Sequence, residues 1–304
     1  MNTSRRTFIK NSGLAVAGTS LLPGILKKTA DNVIAGIQLY SVREDMEKDT
    51  AGTLKKLAAM GYKYVEAAGY ADRKFYGYSI PDFKKLLKDN GLIMKSGHSF
   101  LGSEQWDKTK SDFTDDWKYT IEDAAAVGMK YLISPGVDEG LCKNMDGFNH
   151  FINLFNKTGE LCQKSEIHFA FHNENYEFNH SLGGTLIYDL ILQKTNKNLV
   201  LQQMDIGNMY EPGGRAMHFL QKYPGRFFSM HVKDEMKRNS PGPDGNAYDS
   251  TILGKGVIPI KEIIDYARKS GINYFIIEQE QYQDKTPLAC ADADLKMMEE
   301  WGFK

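Results

Sequence analysis

Ile167-His168-Phe169-Ala170-Phe171-His172-Asn173-Glu174 is a short, mostly apolar run that ends abruptly in a histidine and a glutamate. Such a run, aromatic-rich and followed by a polar loop, reads as a buried strand with its C-terminal end at a functional rim. Working outward, the same form recurs at Leu199–Asp205, Phe227–Val232 and Tyr274–Glu278 on one side. On the other side it recurs at Tyr131–Ser134, Ile93–His98, Tyr62–Ala67 and Ile34–Tyr40. Segments of helical period lie between them, among them Thr50–Met60, Pro81–Asn90, Asp112–Val127, Phe148–Lys164 and Pro259–Ser270. Several end in a glycine just before the next strand, as in Met60-Gly61, Asn90-Gly91, Val127-Gly128 and Ser270-Gly271. Glycine there takes the left-handed cap that turns the chain out of a helix. Eight β/α units of about 30 residues predict an α/β fold of the TIM (β/α)8 barrel type. The competing doubly wound sheet would carry a G-x-G-x-x-G turn after a strand, and none is present.

Composition narrows the class of function. The 304 residues carry 38 basic and 39 acidic side chains, a formal net charge of −1, which argues against a nucleic-acid partner. Cys142, Cys162 and Cys290 show no C-x-x-C spacing, so they read as small buried hydrophobes, not a zinc knuckle or a disulfide framework. Ser4-Arg5-Arg6-Thr7-Phe8-Ile9-Lys10 precedes a short apolar stretch broken by Gly18, Pro23 and Gly24. That pattern reads as a twin-arginine signal peptide over residues 1–29, with a catalytic domain over 30–304 in the periplasm and no membrane anchor after signal removal.

The strand ends carry the chemistry. Glu66, His98, His172, Asp205, His231 followed by Lys233, and Glu278 followed by Glu280 all fall where a strand meets its loop. In a barrel those positions converge on one face, and buried carboxylates there must share a cation or pair internally. Two imidazoles and two carboxylates suit one divalent ion, Mn²⁺, Zn²⁺ or Co²⁺, better than Mg²⁺. His172, Asp205, His231 and Glu278, from four successive strands, are the expected ligands. The Gly/Pro-rich stretch from Asp234 to Gly256 reads as a loop covering the site.

Several stretches carry a resemblance to the xylose isomerase-like sugar isomerase/epimerase superfamily. They include Gly36-Ile37-Gln38-Leu39-Tyr40-Ser41-Val42-Arg43, Tyr64-Val65-Glu66, Phe171-His172-Asn173-Glu174, Asp205-Ile206-Gly207-Asn208, His231-Val232-Lys233-Asp234 and Ile277-Glu278-Gln279-Glu280. The resemblance implies a divalent metal on Asp205, His231, Glu278 and the residue at position 172, and a sugar, keto-sugar or inositol-type substrate. Members that epimerise free ketoses carry glutamate where this chain has His172, and two opposed carboxylates exchange the proton. Glu174 stands where related chains often have histidine.

The expected chemistry is proton abstraction next to a carbonyl of a small non-phosphorylated carbohydrate, through an enediolate. Glu278, Glu174 and His98 are candidate bases, and Lys233 a cation for a substrate oxygen or an ion-pair partner of Asp234 or Glu280. Glu66 and His98 are expected to hydrogen-bond substrate hydroxyls, either one alternatively supporting a ligand, and Tyr40 and Trp106, with Phe100 and Tyr176, to stack on a sugar face. The His172 exchange tilts the outcome toward a keto-sugar or inosose-type hydro-lyase. A non-catalytic exported sugar-binding barrel and an abasic-site metallonuclease are the readings from other classes.

Overall fold

The alternation of β-branched and aromatic runs with amphipathic segments folds into eight parallel strands. They are β1 Ile34–Gln38, β2 Tyr64–Ala67, β3 Ile93–His98, β4 Tyr131–Pro135, β5 His168–His172, β6 Val200–Asp205, β7 Phe227–Val232 and β8 Tyr274–Ile277. In this computed structural model, which describes residues 33–242 and 245–303, the strands close into a barrel in sequence order, β1 pairing with both β2 and β8. Closure removes the doubly wound alternative. The signal-peptide reading of residues 1–29 lies outside the described residues.

Helix Thr50–Met60 has the bounds read from sequence; it is capped by Asp49, whose side chain accepts the Gly52 N–H, and stopped by Gly61 at φ 117°. Gly128 ends helix Asp115–Val127 in the same way at φ 108°. Helix Met145–Lys164 begins three residues before the sequence reading, because Asn144 accepts the Gly147 N–H at 2.9 Å. It then packs Phe155 onto Phe169 and Phe171 of β5, ring centroids 5.0 and 5.8 Å apart, with Phe151 against Phe155 at 4.3 Å. Each such buried ring contributes about 1.5–3 kcal/mol of transfer free energy. The three cysteines are free and buried, as the sequence reading expects.

Two register shifts break the barrel's regularity. One falls between Val65 and Glu66 where β2 meets β3, the other between Gln202 and Gln203 where β6 meets β7. A bulge re-aims the side chains that follow it. Past the shifts Glu66 stands opposite Ser96 and Gln203 opposite Ser229, and each pair is also joined by its side chains. The residues skipped on the partner strands, Lys95 and Phe228, meet half-buried aromatics: Phe228 stacks on Tyr131 at 4.4 Å and the Lys95 ammonium lies 5.9 Å from the Tyr274 ring.

The stretch after β7 corrects the expectation of an open covering loop. Asp234–Lys237 and Tyr248–Thr251 form an antiparallel ribbon. Its base is gathered by the Asp234 carboxylate, which accepts the N–H groups of Glu235, Gly254, Gly256 and Ile258 at 2.9–3.2 Å. A Cβ on Gly256 would lie 2.2 Å from an Asp234 oxygen, so only glycine permits this approach. Asp234 is therefore no ion-pair partner of Lys233. Among the described residues, no helix is long and apolar enough to cross a membrane.

Candidate metal centre

Four strands deliver the expected residues to one point. His172 and Asp205 are the last residues of β5 and β6, His231 is the penultimate residue of β7, and Glu278 follows β8. One donor atom from each lies within 4.8 Å of the others, and all four residues are buried. His231 Nδ1 is 3.1 Å from Glu278 Oε2 and 3.7 Å from Asp205 Oδ2, and His172 Nε2 is 3.8 Å from the same Asp205 oxygen.

Residues beneath the cluster set its orientation. Gln203 Oε1 faces His172 Nδ1 and His98 Nε2, each at 3.0 Å, while its amide nitrogen donates to Glu66 and Ser229. A carboxylate only accepts, which fixes the amide's orientation and makes His172 Nδ1 and His98 Nε2 donors. His172 Nε2 is left with its lone pair toward Asp205. The Glu66 carboxylate lies 2.6 Å from His231 Nε2 and also takes hydrogen bonds from Gln38, Ser96 and Gln203, with His98 Nε2 at 3.1 Å. His231 thus donates through Nε2 and presents Nδ1 to the cluster. Asn173 exchanges two hydrogen bonds with the Asp205 backbone, and Asn208 donates its N–H to Asp205 Oδ1 at 2.7 Å.

The electrostatics leave a place for a cation. Burial works on the Asp205 carboxyl against the charges of Lys233 and His231, and with Glu278 nearby it pushes the pKa up to about 7. Asp205 Oδ2 is buried without any hydrogen-bond partner, a situation costing about 1–3 kcal/mol or more for a charged group. Burial and then the neighbouring His231 and His98 hold the His172 pKa well below the ordinary imidazole value, so this ring stays neutral. Burial opposes charge on His231 too, yet Glu278 and Glu66 on its two sides push its pKa up to about 10. The field that would hold a proton there would equally hold a metal ion. Two imidazole nitrogens on separate rings, an unpartnered carboxylate oxygen and a second carboxylate fit a four-donor divalent site.

The mouth above the cluster is acidic. Lys233 Nζ pairs with Glu280, accepts no role toward Asp234, donates to Asn208 Oδ1 at 2.7 Å and lies 3.6 Å from Glu278. Gly207 makes room for this lysine, since a Cβ there would sit 2.6 Å from its Cγ. Glu174 is held at the rim by Asn208 Nδ2 at 2.7 Å, its side chain 45% exposed. A small polar pocket of about 140 Å³ opens here, with Glu174, Glu211, Glu235 and Glu280 among its walls.

Two expected substrate contacts are corrected. Glu66 is fully buried and saturated by donors, so it supports His231 and does not reach hydroxyls. Trp106 turns to Phe113 and His150, ring centroids 5.1 and 6.4 Å away, and packs on the helix from Met145. Tyr40 lies just past β1 in a 3-10 turn, Leu39–Val42, 43% exposed, with the Arg43 guanidinium 4.6 Å from its ring. Gln203 and Asn208 escaped the sequence reading. The two adjacent glutamines of Val200–Asp205 were the available signal, because a central barrel strand rarely holds polar side chains without a purpose.

An eight-stranded barrel with histidines and acids at its C-terminal rim defines a class of metal-competent barrels. A family model of the xylose isomerase-like TIM barrel matches residues 54–301, and the chain belongs to that family. An inosose dehydratase of Clostridium botulinum is 24% identical over 196 residues, 60% of this chain. The match spans only 62% of that relative's length. An inosose dehydratase of Clostridium perfringens is 22% identical over 262 residues, 75% of this chain and 81% of that protein. A solved sugar phosphate isomerase/epimerase of Parabacteroides distasonis has a TM-score of 0.73 at 26% identity, covering 88% of this chain and 98% of that one. The protein is a sugar isomerase/epimerase-like barrel whose relatives are enzymes.

Proposed function

We propose that the protein is a divalent-metal-dependent enzyme that removes a proton next to a carbonyl of a non-phosphorylated keto-sugar. The observation that carries this reading is the buried His172–Asp205–His231–Glu278 cluster with its unpartnered Asp205 oxygen. His172, Asp205, His231 and Glu278 would hold Mn²⁺, Zn²⁺ or Co²⁺, which when bound supplies positive charge to the oxygens of a carbonyl and its neighbouring hydroxyl.

The chain's own groups divide the remaining work. Glu278, kept ionised by Lys233 and His231 against its burial, takes the proton from the carbon beside the carbonyl and leaves an enediolate. Lys233 stays an ammonium because Glu280, Asp205 and Glu278 outweigh its burial, and it fixes a substrate oxygen at the mouth. His98 and Glu174 stand on the two sides of His172, at the rim, as proton donors. Return of the proton to the opposite face gives an epimer, and return to the neighbouring carbon an isomer. Protonation of a β-hydroxyl by His98 or Glu174, with loss of water, gives dehydration.

Dehydration is the second reading, favoured by His172. An imidazole in that seat, its Nδ1 tied to Gln203, lacks the carboxylate that a symmetrical two-base epimerisation uses. Four glutamates at the mouth, with Lys233 already paired there, argue against a phosphorylated substrate. We assign residues 30–304 to the mature periplasmic enzyme, on the strength of the Ser4–Lys10 signal pattern. The test is NMR in D2O of keto-sugars and inososes with metal-loaded protein. Deuterium entering the carbon beside the carbonyl, with or without release of water, supports the proposal and separates the two readings. A loaded protein that exchanges no proton on any of them would leave a sugar-binding barrel in its place.

A further inference from the structure

The polar pocket of about 140 Å³ is smaller than the 300–1,000 Å³ of ordinary small-molecule sites. A second hollow of about 670 Å³ leaves the same rim on the side of β2, β3 and β4. His98 lines this hollow and also stands beside the buried cluster, its ring centroid 4.8 Å from that of His172 and 5.3 Å from that of His231. Phe100 and Tyr119 form part of the wall and are 48% and 38% exposed, two large rings open to solvent at the edge of the hollow.

The wall is built to stay in place. Tyr70 donates to Asp123 at 2.7 Å, and Arg73 grips both oxygens of the same carboxylate at 2.7 and 3.0 Å while lying 4.2 Å from the Tyr119 ring. Arg73 and Asp72 form the tip of a hairpin with φ of 60° and 50°, a left-handed turn that favours glycine and asparagine. Retaining Arg73 in that conformation holds the Tyr119 ring at the edge of the hollow. Aromatic faces with Asp72 and Glu104 beside them offer stacking to a sugar's C–H face and acceptors to its hydroxyls.

We infer that this hollow is a subsite for a second sugar ring, so that the substrate is a disaccharide-type glycoside whose reacting ring sits at the metal centre. The inference rests on the keto-sugar reading for the reacting ring, but the subsite is tested by binding alone. Isothermal titration of the metal-loaded protein with glucose, maltose, cellobiose and an aryl glucoside is the experiment. At least one disaccharide binds tenfold or more tighter than glucose, and the Phe100→Ala/Tyr119→Ala variant loses that advantage. Equal affinity for one and two rings, absence of binding by all four, or an advantage untouched in the variant overturns the subsite. An aryl glucoside that outbinds both disaccharides overturns the choice of a sugar for the second ring. Proton exchange on keto-monosaccharides is scored separately, so a failed subsite and a failed metal-centre reading give different results.

Discussion

Glu66 Oε1 lies 2.6 Å from Nε2 of His231, on the far side of the ring from Glu278, which faces Nδ1 at 3.1 Å. One imidazole is thereby clamped between two carboxylates, and only one of them belongs to the cluster of four. The burial that would raise the Glu66 pKa is overridden by His231 and His98, so Glu66 is a carboxylate, with a pKa well below the usual range. It can orient His231 and raise the basicity of Nδ1 without touching a ligand itself.

Glu66→Gln therefore weakens metal binding by about 10–100-fold, as loss of a ligand's supporting partner typically does. The variant also loses about 1–3 kcal/mol of stability, because an amide N–H₂ then faces donors from Gln38, Ser96, His98 or His231. Metal titration and thermal unfolding check the two effects. Unchanged affinity would mean that His231 needs no such support.

The parent chain is expected to purify with about one ion per molecule on its four-donor cluster, and His172→Ala and Asp205→Asn with far less. Elemental analysis after purification without chelators reads this directly. Chelation of the parent protein should also lower its unfolding midpoint, since a ligand at 1,000 times its Kd contributes about 4 kcal/mol. Full metal content in either variant would remove that residue from the site.

Asp294 gives a pH dependence remote from the centre. Burial pushes its carboxyl up to about 7 against the N–H of Leu253, with Asp234 adding to the rise. The folded pKa exceeds the unfolded one, so the native state binds more protons and stability falls as pH rises from about 4 to 7. Asp294→Asn keeps an acceptor for Leu253 and removes the ionisation. Relative to the parent it gains about 2–4 kcal/mol between pH 4 and pH 8. Parallel stability curves from denaturant melts at both pH values would contradict this.

Gly256→Ala forces a methyl group to within 2.2 Å of Asp234 and 2.3 Å of the Glu235 carbonyl. Backbone shifts of that kind cost about 1–3 kcal/mol. The ribbon over the mouth should open, freeing the paired backbone around Lys237 and Arg238 for trypsin; Arg238 is paired with Asp249 in the native ribbon. Cleavage at the parental rate would show that the base tolerates the methyl.

For the N-terminal pattern, Arg5→Lys/Arg6→Lys should strand the full-length protein in the cytoplasm, because the address is read from the arginine pair and not from charge alone. Cell fractionation distinguishes this from a basic tail, for which the double substitution changes nothing.

Strand runs, helix caps and the acids and histidines at strand ends determined the barrel and its four candidate ligands, because β/α alternation and strand-end polarity are local features. Gly61 and Gly128 mark their helix ends in sequence and in φ alike. What the sequence alone left undecided is how far each side chain projects, and in which direction. Glu66 occupies a strand end like the ligands, yet it lies beneath His231, and the register shifts, whose extra residues Lys95 and Phe228 lie on β3 and β7, set Ser96 against Glu66 and Ser229 against Gln203. Trp106 follows its strand closely but faces the helix at His150. Asp234 looked like a partner for Lys233 and instead gathers four N–H groups from the ribbon's base. Bulges, hydrogen-bond saturation and packing across distant segments decided these roles, and such interactions exist only once the barrel has closed.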